Sequence, residues 1–176
     1  MMEDISSHIM DIVTNSVRAR ARHVAISVME DTKAGLLNLT VKDDGMGMDS
    51  DTSRKIQDPF FSTKKGRKVG LGVPLLKGTA ETTGGRFSLT SEPGKGTEIR
   101  ATLNLHHPDL PVVGNLKDTI LVLVVGNPEI DFTFTHGKDE KVFVLDTREL
   151  KKTLEDIPVN HPEVINFLTK YLDENV

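Results

Sequence analysis

The stretch Asp43-Asp44-Gly45-Met46-Gly47-Met48-Asp49 decides how the rest of the chain is read. An acidic residue at the end of a strand is followed at once by two glycines one residue apart. Glycines so placed give a tight backbone turn with little side-chain bulk. Taken alone, the pattern also fits a plain loop. What stands on either side of it narrows the reading.

Upstream, His23–Met29 (HVAISVM) alternates as a strand, and a second strand, LLNLTVKD, lies within Gly35–Asp43. Both are short and β-branched, and the acidic stretch between them is a turn. They predict an antiparallel hairpin with one covered face. Before it, residues 4–22 predict a helix, because Ile5, Ile9, Ile12, Val13 and Val17 make an apolar stripe. Asp4 suits the helix start, with Ser6 and Ser7 as possible caps. His8, Asp11, Asn15, Arg18 and Arg22 lie three and four apart and predict one polar row on a neighbouring face.

Downstream, Ser50–Gly70 lacks a clean period and holds six basic and two acidic residues, a local charge of +4. It predicts either a solvated loop or a lid over an anion, with Phe60 and Phe61 anchoring its base. Gly70-Leu71-Gly72 then opens a helical pattern (Val73, Leu75, Leu76, Ala80) that Gly84-Gly85 ends. A glycine turn feeding a helix N-terminus is a phosphate site in waiting, since open N–H groups and the helix dipole point outward there. Strands follow at Arg86–Ser91 and Thr97–Leu105 around Glu92-Pro93-Gly94-Lys95-Gly96.

The fold class is therefore α+β: a two-layer sandwich in which helices cover one face of a mostly antiparallel mixed sheet. Residues 1–105 form the main domain in this reading. HHPDLPVVG begins a linker over residues 106–115. Residues 116–176 form a small extension that packs on or extends the main domain. Within it, Thr119–Val125, Asp131–Thr135 and Lys141–Leu145 predict a three-stranded meander, with turns at Asn127-Pro128 and His136-Gly137-Lys138. Residues 147–156 and 162–173 predict two helices, the second starting at Pro162.

Composition removes several function classes. The 176 residues include no cysteine, which excludes disulfides, thiolate metal sites and a cysteine nucleophile. A net charge of −4 gives no reason to expect nucleic acid or an anionic membrane as partner. The longest apolar run, Ile120–Val125, is far too short to span a bilayer, and the acidic N-terminus lacks a signal core, so a cytoplasmic location is expected. The six histidines lack spaced partner ligands, and no transition-metal site is expected.

Residues 8–103 resemble the ATP-binding domain of the gyrase, heat-shock chaperone, histidine kinase and mismatch-repair (GHKL) superfamily, most of all the catalytic domain of sensor histidine kinases. Four motifs carry the resemblance in order. They are an asparagine box at Asp11-Ile12-Val13-Thr14-Asn15-Ser16, a first glycine box at Asp43–Gly47, a phenylalanine box at Asp58-Pro59-Phe60-Phe61-Ser62-Thr63-Lys64, and a second glycine box at Gly70-Leu71-Gly72-Val73. Gly94-Lys95-Gly96-Thr97 closes the site.

The resemblance implies a histidine kinase-like ATPase fold, ATP and Mg²⁺ as ligands, and a role for each matching residue. Asn15 would ligate Mg²⁺ through its amide oxygen. Asp11, one turn earlier, would be the general base. Arg18 would contact phosphate, while Arg22 reads as solvated. Asp43 would accept from the adenine amino group, Gly45 and Gly47 would let the backbone approach the base, and Met48 would pack on the ring. Thr97 would bond the adenine side, directly or through water. Gly70, Leu71 and Gly72 would wrap the phosphates, with Lys64 or Lys65 adding charge.

The functional expectation is a stand-alone ATP-binding protein that hydrolyses Mg-ATP slowly or passes phosphate in trans to a protein partner. Transfer in trans is expected because the asparagine box begins almost at the first residue given and His8, in the nucleotide-facing helix of this reading, is a poor acceptor. Two alternatives stay open. One is a nucleotide-switched, anti-sigma-like binding module in signal transduction. The other is an ATP-driven homodimeric clamp of the gyrase and mismatch-repair class.

Overall fold

The computed structural model describes residues 4–61 and 71–176. Its elements run α1 (Ile5–Arg18), β1 (His23–Asp31), β2 (Leu36–Asp43), α2 (Ser50–Lys55), α3 (Gly72–Thr82), β3 (Arg86–Glu92), β4 (Gly96–Asn104), α4 (Leu116–Gly126), β5 (Asp131–Lys138), β6 (Lys141–Asp146), α5 (Thr147–Leu154) and α6 (Pro162–Asn175).

The first helix starts where an acidic cap allows it. Asp4 is the N-cap, and its carboxylate accepts from the Ser7 N–H at 2.7 Å. Ile5, Ile9, Ile12 and Val13 are buried as the stripe required. The helix stops four residues short of the predicted end. Arg20 adopts a positive φ of 58°, and the Ala21 N–H reaches back to the Ser16 carbonyl. Arg22 therefore leaves the polar row. His8 leaves it as well: it is buried, with Nε2 3.2 Å from the Thr79 hydroxyl of α3.

The six strands form one sheet in the order β3-β4-β2-β1-β5-β6. Every pairing is antiparallel except β1 with β5, which run parallel in the register Val24–Phe132 to Glu30–Lys138. Alternation sorts the faces. Val24, Ile26, Val28, Leu37, Leu39, Val41, Ala101, Leu103, Phe132 and Phe134 are buried under the helices. The opposite face carries Val142 and Val144, which are about half exposed. The fold is thus α+β with a mixed sheet, as the sequence led one to expect.

The extension departs from the expected meander. Leu116–Gly126 is a helix, not a strand. Asn115 caps it by accepting from the Asp118 N–H at 3.1 Å. Its β-branched residues read as a strand, but Leu116, Ile120, Leu123 and Val124 fall on one helical face, and burying that face outweighs intrinsic propensity. The β5–β6 turn sits at Asp139-Glu140, because β5 runs on through Gly137 to Lys138. The two strands extend the main sheet from its β1 edge.

Residues 106–115 run over the start of α1. The carbonyls of Val112 and Val113 accept from the Ile5 and Ser6 N–H groups at 3.0 Å each, and the Ser6 hydroxyl donates to the Val113 carbonyl at 2.8 Å. These bonds satisfy helix N–H groups that lack intrahelical partners.

Asp44 ties the end of β2 to the start of β1. Its carboxylate accepts from the backbone N–H groups of Arg22 at 2.7 Å and His23 at 2.9 Å. Partial burial pushes the carboxyl up, but these two N–H donors outweigh it and hold the group below its ordinary value of 3.8. A depressed carboxyl contributes stability that is complete above the unfolded value and is lost as pH falls through the folded one. Urea melts across the acid range should show Asp44→Asn losing part of the wild-type decline below pH 3.8. Superimposable acid limbs would remove Asp44 from that role.

Candidate functional site

A cavity of about 540 Å³ opens between α1, β2, β4, β3 and the loop after β2. That lies within the usual range for small-molecule sites. Much of its wall is aliphatic: Ile12, Val41, Val73, Leu89 and Ile99, with Met46 and Met48 across from them. Such a slot accepts a flat apolar ring.

Asp43 supplies the acceptor group of the slot. It is 8% exposed. Oδ2 accepts from the Ser16 hydroxyl at 2.6 Å, and Oδ1 accepts from the N–H groups of Gly45 at 2.9 Å and Thr97 at 3.3 Å. Helix α1 and strand β4 therefore both clamp the carboxylate. Ser16 went unremarked in the sequence beyond its place at the end of the asparagine box. The available signal was a serine in register with the apolar stripe.

The loop 44–48 is laced to its surroundings by backbone. Met46 N–H donates to the Ala19 carbonyl at 2.9 Å, and Gly94 N–H donates to the Met46 carbonyl at 2.7 Å. Gly47 has φ +66°, and a Cβ there would stand 2.0 Å from the Glu92 carbonyl oxygen. Gly96 has φ +96°, and its Cβ would stand 1.9 Å from the Asp43 carbonyl oxygen. Neither position admits a side chain, which is what brings the two loops close enough to wall the slot.

Asn15 also lines the cavity, and among the described residues its amide takes no hydrogen-bond partner. Arg18 lines it too, exposed and, among the described residues, without a carboxylate partner. Helix α3, whose Val73 lines the cavity, begins with no side-chain cap on its N-terminal N–H groups.

The expected site residues thus divide. Asn15, Arg18, Asp43, Gly47, Met48 and Thr97 line one cavity. Gly45 stands behind its wall, donating to Asp43. Leu71 and Gly72 open α3. Asp11 lies outside the cavity, exposed, in a shallow depression shared with Asp4, Ser7 and Asp118. It touches α3: a Cβ on Gly72 would come within 2.8 Å of the Asp11 Cβ. Lys64, Lys65 and Gly70 lie outside the described residues. Phe61 lines the cavity, with the Lys55 ammonium 6.0 Å from its ring centre, but Phe60 is 92% exposed and anchors nothing. The sequence did not show that Thr52 and Ile56, on and just after α2, also face the cavity.

The profile of the histidine kinase-, DNA gyrase B-, and HSP90-like ATPases matches residues 3–107. The chain belongs to that family. Relatives of this ATPase-family chain include an uncharacterized sensor-like histidine kinase of Rhizobium meliloti (strain 1021), 31% identical over 100 residues, 54% of this chain and 19% of that one. Sporulation kinase C of Bacillus subtilis (strain 168) is 29% identical over 96 residues, 54% of this chain and 22% of that one. The chain therefore spans about a fifth of the length of these two relatives.

Among solved structures, the ADP complex of the Aquifex aeolicus MutL ATPase domain superposes on the ATPase-family chain with TM-score 0.50. That match has 14% identity and covers 97% of this chain and 88% of that one. The N-terminal domain of a DNA repair protein gives TM-score 0.58 at 16% identity, covering 82% of this chain and 53% of that one. Both likenesses concern the fold. Among the described residues, no helix of this ATPase-family chain is long and apolar enough to cross a membrane.

Proposed function

We propose that the cavity binds ATP, with adenine in the aliphatic slot against Asp43 and the triphosphate running past Asn15 to the start of α3. The observation that carries this reading is that Asn15 and Asp43, 28 positions apart in sequence, line one cavity of matching size and polarity. Family membership supports it independently.

Each end of the cavity fits its assigned load. Asp43 offers an acceptor to the adenine amino group, and Met46 and Met48 pack on the ring. Asn15 presents a hard oxygen donor with no competing partner among the described residues, which suits Mg²⁺. Asn15 would hold that ion, which when bound would supply charge neutralisation to the phosphates. Arg18 adds a bidentate phosphate contact, and the uncapped N–H groups of α3 add a helix terminus. Gly70 and Lys64 belong to the same proposed phosphate grip. The cavity lining falls entirely within residues 1–105, which act as the nucleotide-binding unit in this reading. Residues 106–115 connect it to the extension of residues 116–176.

Turnover is the finer part of the proposal. Asp11 acts as general base at the edge of α3, and the chain hydrolyses ATP slowly or transfers its phosphate to a protein partner in trans. One observation favours a second reading, a nucleotide-switched binding module: Asp11 stands outside the cavity. A phosphate-release assay separates the two, since the module would bind ATP without release.

Calorimetry tests the site itself. Mg-ATP and Mg-ADP should both bind, and Mg-GTP should bind about five- to a hundredfold more weakly, since an oxo group facing the Asp43 acceptor costs on the order of 1–3 kcal/mol. The absence of binding heat with either adenine nucleotide would overturn the reading.

A further inference from the structure

Ser91 lies in β3 behind the adenine end of the cavity and does not line it. Its hydroxyl is nevertheless a junction. The Met48 N–H donates to Ser91 Oγ at 2.8 Å. Ser91 Oγ stands 3.1 Å from the Gly96 carbonyl oxygen and 2.8 Å from the Thr97 hydroxyl. Thr97 itself faces the cavity.

Counting protons settles the direction of these bonds. A serine hydroxyl has one proton and two lone pairs. One lone pair is taken by the Met48 N–H. If the proton went to Thr97, the Gly96 carbonyl would meet Ser91 oxygen to oxygen with no hydrogen between them. If the proton goes to the Gly96 carbonyl, the second lone pair is left for the Thr97 O–H. Only that assignment makes all three contacts hydrogen bonds. It spends the Thr97 proton on Ser91 and leaves Thr97 Oγ1 with lone pairs alone toward the cavity.

We propose that Ser91 is a specificity-determining residue: by fixing Thr97 as an acceptor, it makes the slot select a 6-aminopurine and reject a 6-oxopurine. Asp43 and Thr97 then present two acceptors at the same end of the slot, held together by the Thr97 N–H bond to Asp43 Oδ1. An exocyclic amino group satisfies them, and a ring carbonyl opposes both. The inference rests on the adenine reading above and extends it to a residue that no nucleotide touches.

The test compares ATP with inosine triphosphate, which carries an oxo group at the same ring position, by calorimetry on the full chain. Ser91→Thr keeps the hydroxyl and Ser91→Val keeps the shape of that threonine without the hydroxyl, so the pair isolates one group. The wild type and Ser91→Thr should favour ATP by at least tenfold. In Ser91→Val the Thr97 hydroxyl is released to donate to the inosine carbonyl, and the preference should fall about five- to tenfold. Loss of the Met48 bond weakens both nucleotides together and leaves their ratio alone. In a Thr97→Val background, Ser91→Val should leave the ratio unchanged. An equal ratio in Ser91→Thr and Ser91→Val overturns the role of Ser91, as does a wild type that binds ATP without preferring it. A wild type that binds neither nucleotide overturns the ATP reading itself, and with it this inference.

Discussion

Replacing Asp43 by Asn is expected to weaken Mg-ATP binding about ten- to a hundredfold while the protein stays folded. The reason lies in how the carboxylate is held. Two backbone N–H groups converge on Oδ1, and the Ser16 hydroxyl meets Oδ2. An asparagine amide cannot turn its NH2 toward Oδ1's place without facing two donors. It must point NH2 toward Ser16, whose hydroxyl can rotate to accept. The fold keeps its bonds in that orientation, but the group offered to the nucleotide changes from acceptor to donor. Donor then meets the adenine amino group in a buried setting, at a cost on the order of 1–3 kcal/mol, or about tenfold per 1.4 kcal/mol. Calorimetry measures the loss, and a thermal melt checks the fold. Unchanged affinity would sink the adenine assignment. Ser16→Ala should do less, because it removes one bond and leaves both acceptor oxygens in place.

The second large effect concerns turnover. Asp11→Asn should cut phosphate release by about 10²–10⁴-fold, the usual contribution of a positioned base, while ATP affinity changes less than about twofold. The separation follows from position. Asp11 does not line the cavity, so its loss removes no contact with the bound nucleotide. It stands against Gly72 at the start of α3, where the terminal phosphate would meet the uncapped N–H groups. Single-turnover assays with the variant saturated by ATP give the comparison. A variant that releases phosphate at the wild-type rate refutes the base assignment and favours the binding-module reading.

Much of the N-terminal fold was legible in residues alone. The α1 stripe, the β1–β2 hairpin, the glycine break after α3 and the β3–β4 pair each obey a local period or turn rule. What escaped depended on distant partners. The end of α1 is set by Arg20 turning back and by Asp44 receiving the Arg22 N–H, neither of which leaves a local trace. Helix α4 is rich in Ile and Val, and only its burial against neighbouring helices explains why it is not a strand. The same holds at the cavity. The family resemblance picked out Asn15, Arg18, Asp43, Gly47, Met48 and Thr97, which line one cavity. It passed over Ser91, because its part depends on a bond network between two loops and a strand edge.

The parallel pairing of β1 with β5 has a consequence for biosynthesis. His23 waits for Asp131, a partner 108 positions later. While residues up to 105 have left the ribosome and the rest have not, the strand leading into the hairpin under the slot exposes a bare backbone edge. Nascent chains in that interval can pair with one another instead. A fragment ending at residue 105 therefore keeps that edge unpaired for good.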